Sequence, residues 1–263
     1  MKGNNKFISK ILFKLLLLRG GCSDYTMMKA IQKDKTEVVK LLLQDKSVAP
    51  SAYVIGKALE KGNVEILKLL LQDKRVDPSA EDNYAIKEAS ANGYTDIVKL
   101  LLEDERVDPS AGDNYAIRWA SANGREEVVK LLLKDVRVDP SSVDNCAIKW
   151  ASENGHAKLV KLLLTDKRVD PSAEDNYAIR CASVRGHVEV VNLLLKDERV
   201  DPSAYNNYAI KEASYWGYVE IVKLLLKDKR VELFAKDEAI NCISAFSRND
   251  DIKFLLEKCK FDN

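Results

Sequence analysis

The sequence predicts an all-α solenoid of stacked helix-turn-helix units with short connecting loops, and three observations predict it. Val-Asp-Pro begins at Val76, Val107, Val138, Val169 and Val200, a constant interval of 31 residues. All six prolines (Pro50, Pro78, Pro109, Pro140, Pro171 and Pro202) fall in that one slot. Between prolines the apolar residues recur three or four apart, the spacing of one helix face. A fixed period of roughly 20 to 50 residues means stacked repeats, none of which can bury its apolar face alone. One elongated domain follows, and stability and function belong to the array.

Residues 1–24 open the chain. Leu12, Phe13, Lys14, Leu15, Leu16 and Leu17 read like the second helix of a repeat, with Lys14 matching Lys40, Lys68, Lys99, Lys130, Lys161 and Lys223. That makes the segment an N-terminal half-repeat cap. A rival reading is a basic amphipathic anchor over residues 1–19, which hold Lys2, Lys6, Lys10, Lys14 and Arg19 and no acid.

Slots are numbered here from the residue that opens each first helix: Tyr25, Tyr53, Tyr84, Tyr115, Cys146, Tyr177, Tyr208 and, in an atypical eighth repeat, Glu238. In the repeat from Tyr84, the residues Ile86, Ala89 and Ser90 form a small-residue face. Asn83, recurring as Asn114, Asn145, Asn176 and Asn207, is placed to cap that helix through its side-chain oxygen. Glycine at slot nine (Gly62, Gly93, Gly124, Gly155, Gly186 and Gly217) supplies a left-handed turn. A second helix carries Ile97, Val98, Leu100, Leu101 and Leu102, with Asp96 at its positive end. Proline's fixed φ and missing donor then make the return segment, Glu103 to Asn114, a turn. The array occupies residues 25–237 in seven repeats. Residues 238–263 form a C-terminal capping repeat, having lost the proline to Leu233 and the glycine to Ser247.

Composition narrows the function classes. Lys and Arg total 42 against 41 Asp and Glu, so no bulk attraction to nucleic acid is expected. Five scattered cysteines without a C-x-x-C pair argue against a disulfide framework or thiolate zinc site, and for an intracellular, cytoplasmic location. No phosphate loop, dinucleotide fingerprint, H-E-x-x-H or calcium loop occurs, so no cofactor, metal or catalytic residue is assigned. The two histidines, His156 and His187, share slot ten with Tyr94, Arg125 and Tyr218, which points to a structural or surface role. Asp82, Asp113, Asp144 and Asp175 repeat at one slot and read as a loop-capping ladder.

Slots zero, four, seven and eight share a first-helix face opposite the small residues. Slot four reads Lys29, Lys57, Glu88, Trp119, Trp150, Cys181, Glu212, and slot eight reads Lys33, Lys61, Asn92, Asn123, Asn154, Arg185, Trp216. Candidate partner-binding residues are therefore Lys29, Lys33, Lys57 and Lys61 at the basic end, and Trp119 and Trp150 in the middle. Arg185 and the seventh-repeat cluster Tyr205, Tyr215, Trp216 and Tyr218 complete the set. The tryptophans either flank an inserted side chain or cover the short helices themselves.

Gly155-His156 followed by Leu159, Val160, Leu162, Leu163 and Leu164, and Gly186-His187 followed by Val190, Val191, Leu193, Leu194 and Leu195, resemble the ankyrin repeat. The family's opening Thr-Pro-Leu-His is replaced by Tyr-Ala-Ile-Lys or Tyr-Ala-Ile-Arg. The period falls two short of the family's usual value of about 33. The Val-Asp-Pro-Ser-Ala variety resembles arrays of giant DNA viruses and amoebae. The resemblance implies an ankyrin-repeat solenoid whose first-helix face lines a concave groove. It further implies a monomeric, non-enzymatic scaffold or adaptor that binds a protein partner through the groove and loop tips. Membrane association through residues 1–19 is the alternative.

Overall fold

The computed structural model describes residues 23–231 apart from positions 49 and 52. Residues 1–22, which hold most of the expected N-terminal cap or anchor, and the C-terminal capping repeat at 238–263 lie outside the described residues. Fourteen helices and no strand occur among the described residues. They come in pairs, one pair per repeat: α1 (Ser23–Gln32) with α2 (Thr36–Gln44), α3 (Tyr53–Lys61) with α4 (Val64–Gln72), and α5 (Ala80–Asn92) with α6 (Thr95–Leu102). Next come α7 (Ala111–Ala122) with α8 (Glu126–Leu132), and α9 (Ser142–Glu153) with α10 (Ala157–Leu163). The last pairs are α11 (Ala173–Val184) with α12 (Val188–Leu194), and α13 (Ala204–Tyr215) with α14 (Val219–Lys227).

The chain divides between Gly112 and Asp113 into two compact units. In the first, α3 packs between α1 and α5, and α4 between α2 and α6. In the second, α11 packs between α9 and α13, while α8, α10, α12 and α14 follow one another. First helices thus pack on first helices and second on second.

Small side chains make this close approach possible. Ala85, Ile86, Ala89 and Ser90 are buried on α5, and the same four slots are buried on α9 as Ala147, Ile148, Ala151 and Ser152. The second helices bury a narrower stripe than the sequence suggests: Ile97, Val98 and Leu101 are buried, while Leu100 and Leu102 are only half-buried. The slot-six hydroxyls of Ser90, Ser121, Ser152, Ser183 and Ser214 are buried without a partner among the described residues.

Slot-nine glycine is doubly required. Gly155 has φ +75, in the left-handed region, and a Cβ there would lie 2.6 Å from Nδ1 of His187 in the following repeat. The turn and the seat for the next repeat are the same atom.

The first helices α5, α7, α9, α11 and α13 each open on a left-handed turn that the sequence does not announce. Glu81, Asp82 and Asn83 have φ of 54, 55 and 59, and Val143, Asp144 and Asn145 repeat this at 54, 52 and 60. The turn is closed by the Asn83 N–H donating to the Ser79 carbonyl at 2.8 Å. It aims the Asn83 side chain away from its own helix: Oδ1 accepts from the backbone N–H of Asp108, in the loop of the next repeat, at 2.7 Å. Asn114, Asn145 and Asn176 do the same to Asp139, Asp170 and Asp201, each at 2.7 Å. Four of the five expected helix caps are therefore staples between repeats. The aspartates of the expected capping ladder occupy the middle of the turn, a position where a short polar side chain tolerates positive φ.

A second staple comes from Asp-x-Arg. Asp166 Oδ1 accepts from the Arg168 backbone N–H at 3.0 Å and Oδ2 from its guanidinium at 2.7 Å. The clamped Arg168 reaches back to donate to the Val138 carbonyl at 2.8 Å. Arg75, Arg199 and Arg230 repeat the reach to Val48, Val169 and Val200 at 2.6, 2.7 and 2.6 Å. The Val-Asp-Pro-Ser segment is a turn, as its proline requires: Asp170 Oδ1 accepts from both the backbone N–H and the hydroxyl of Ser172, at 2.9 and 2.7 Å.

Candidate functional site

The first-helix slots that vary between repeats carry three different surfaces. In the first unit, α1 presents Tyr25 and Lys29, with Lys33 in the turn just past its end, and α3 presents Tyr53, Lys57 and Lys61. Tyr25 and Tyr53 are 59% and 64% exposed. Lys29 Nζ lies 5.5 Å from the Tyr25 ring centroid, and Lys57 is ion-paired with Glu60 on its own helix. Lys33 and Lys61 are exposed and make no ion pair among the described residues.

In the second unit, slot four of α7 and α9 places Trp119 and Trp150 in direct contact, with ring centroids 5.4 Å apart and planes inclined by 58°. Tyr115 extends the contact at 5.6 Å from Trp119. Arg118 stands between Tyr115 and Trp150, 6.0 and 5.9 Å from their centroids, with its Nε donating to the Asp113 carbonyl at 2.9 Å. Of the two arrangements open to these tryptophans, the rings touch each other and leave no gap between them for an inserted side chain.

The third surface involves α11 and α13. The seventh-repeat aromatics, which the sequence groups together, separate into three places. Tyr205 lies at 4.6 Å from the Arg180 guanidinium, which also faces Tyr177 and Tyr208 at 5.8 and 5.7 Å. That guanidinium also donates to the carbonyls of Asp175 and Glu174. Tyr218 rests its ring on Gly186, where a Cβ would come within 2.7 Å of it. Tyr215 and Trp216 stand edge to face at 5.2 Å and 89°, and are 50% and 57% exposed. Trp216 Nε1 donates to Glu212 at 3.3 Å.

Beside Trp216 lies a shallow open depression of about 510 Å³, lined by Glu153, Asn154, Val184, Arg185, His187 and Tyr218. Glu153 pairs with Arg185 and accepts from the Tyr177 hydroxyl at 3.2 Å. The candidates Arg185, Trp216 and Tyr218 thus meet at one place, with Tyr215 adjoining, whereas Tyr205 does not join them. Glu153 and Val184 also belong to the depression. They carry no aromatic or basic signal in the sequence, because slot seven runs Gln32, Glu60, Ala91, Ala122, Glu153 and Val184 before it reaches Tyr215.

Slot ten is structural. His187 Nε2 lies 2.9 Å from the Glu153 carbonyl oxygen and His156 Nε2 2.9 Å from that of Ala122, so each Nε2 carries a hydrogen and donates it to the preceding repeat. Burial pushes the thiols of Cys146 and Cys181 up from their ordinary value, so both are held as thiols. The Tyr177 hydroxyl is raised in turn, chiefly by its hydrogen bond with Cys181. Among the described residues no group of three His, Cys, Asp or Glu is placed to hold a metal ion, and no helix is long and apolar enough to cross a membrane.

The family model described as ankyrin repeats (3 copies) matches residues 27–113, 55–144, 86–175 and 148–237, overlapping matches that run through all seven helix pairs. No curated protein matches the chain.

Proposed function

The chain belongs to the ankyrin-repeat family, and from that premise we propose that it is a non-catalytic adaptor holding a partner protein on the first-helix face and adjoining loop tips. Ankyrin repeats are generic protein–protein interaction modules, and the fold leaves the variable slots of the first helices open to a partner. The observation that carries the reading is the pair Tyr215 and Trp216. Both rings are at least half exposed, and Trp216 lines a depression that includes Arg185. Large aromatics beside an arginine are the side chains that dominate interface energies when a partner covers them.

The Val-Asp-Pro-Ser-Ala variety resembles arrays of giant DNA viruses and amoebae, which favours a partner met in the cytoplasm. A photo-crosslinking residue in place of Trp216 tests the reading. The expected result is a covalent adduct with a protein, absent when the same group replaces the exposed Lys161 on the second helix α10. Equal labelling from both positions would count against it.

A further inference from the structure

The first two repeats carry a surface unlike the aromatic one. Slots four and eight hold lysine in both repeats, as Lys29 on α1 with Lys33 just past its end and Lys57 and Lys61 on α3, and these helices pack side by side. In each repeat the two lysines are four positions apart, a like-charge pairing that works against the helix rather than for it. Glu60 neutralises Lys57, but Lys33 and Lys61 are left without an ion pair among the described residues, and Lys29 has only the Tyr25 ring. On the neighbouring second helices, by contrast, Lys40 of α2 is matched by Glu37 and Lys68 of α4 by Asp96. The exposed rings of Tyr25 and Tyr53 flank the lysines on the same helices.

We propose that this face is a docking strip for a short acidic segment of a partner protein, whose carboxylates meet Lys29, Lys33 and Lys61 while its apolar atoms lie against Tyr25 and Tyr53. The strip is short. On α5, the next helix in the unit, the same slots hold Glu88 and Asn92, so the positive run ends after two repeats. That length suits a few carboxylates. A nucleic acid is favoured by an extended phosphate track, and the chain's net charge of +1 provides no general attraction for one. The chain's own residues 1–19 are excluded as occupant by charge, holding five basic residues and no acid. The strip lies on different repeats from Tyr215 and Trp216, so it stands or falls separately from that surface.

The test is fluorescence anisotropy with the full chain at low ionic strength, using a labelled peptide of alternating glutamate and leucine. The comparison probes are its glutamine counterpart, a single-stranded oligonucleotide and phosphatidylserine vesicles. The glutamate peptide is expected to bind, and the triple variant Lys29→Gln, Lys33→Gln, Lys61→Gln to weaken it by about tenfold or more, since facing charges set such recognition. Trp216→Ala is expected to leave this binding unchanged, whatever it does to the aromatic surface. The lysines are exposed, and matching melting curves confirm that the triple variant is folded. No binding of the glutamate peptide, equal binding of the glutamine peptide, an unaffected triple variant, or stronger binding of the oligonucleotide or vesicles would each overturn the proposal.

Discussion

Trp119 and Trp150 occupy the same slot of adjoining repeats, whereas Tyr215 and Trp216 occupy adjoining slots of one repeat. That difference in address separates two jobs that composition alone runs together. Same-slot rings lie one helix spacing apart and pack on each other, at 5.4 Å here, so they join repeats. The rings of Tyr215 and Trp216, at neighbouring slots of one repeat, touch at 5.2 Å and remain exposed. Contacts between repeats should therefore carry stability, and contacts within one repeat should be open to a partner.

The largest test of that division is Gly155→Ala. The new Cβ would sit at positive φ and displace the His187 ring that bonds the Glu153 carbonyl. A loss of about 2 kcal/mol or more is expected from chemical denaturation, since the left-handed backbone alone costs about 1 to 2 kcal/mol. A loss below about 0.5 kcal/mol would show that the slot-ten seat does not hold repeats together.

Trp150→Ala comes next, with an expected cost of about 1 to 2 kcal/mol for a half-buried ring. A double-mutant cycle with Trp119→Ala should return a coupling of about 0.5 to 1.5 kcal/mol. The same cycle on Tyr215 and Trp216 sharpens the comparison, because removing those rings should move the melting temperature little.

Acid should loosen the between-repeat staples. The carboxyls of Asp73, Asp104, Asp135, Asp166, Asp197 and Asp228 are held below the usual value, chiefly by the side-chain hydrogen bond from the arginine two positions on. A carboxyl whose folded value is depressed stabilises fully above its unfolded value of about 4 and gives that stability up as pH falls through the folded value. Melting temperature is therefore expected to drop steeply below about pH 4. Arg168→Gln should make the drop shallower by removing one clip, and an unchanged slope would remove Asp166 from the account.

A smaller effect, of opposite sign, is expected at Val143, which sits exposed at φ 54 where the preceding repeat has Gly112. Val143→Gly should stabilise by roughly 0.5 to 1 kcal/mol, as relief of a strained β-branched backbone outweighs the added freedom of glycine when unfolded. Destabilisation would mean that the valine side chain contributes contacts its exposure does not suggest.

Much of this was legible in the sequence because it is periodic. The helix pairs, the glycine turn, the proline turn and the small-residue face each show as a residue type at a fixed slot. The left-handed turn was hidden: Glu81, Val143 and Tyr205 at its first position are side chains that avoid such backbone, and only Gly112 hinted at it. Asn83 was visible as a recurring acceptor but not its donor, because local spacing suggests a helix cap while the bond runs 25 residues ahead to Asp108. At the candidate site, the sequence could say which slots face outward. It could not say that Arg180 engages Tyr205, since that depends on side-chain reach between neighbouring helices.

The most direct test pairs partner capture with melting for the double variant Tyr215→Ala, Trp216→Ala. The account predicts an unfolding midpoint close to that of the unaltered chain together with a loss of captured partner of about tenfold or more. Undiminished capture by a folded variant, or a collapse of stability equal to that of Gly155→Ala, would contradict it.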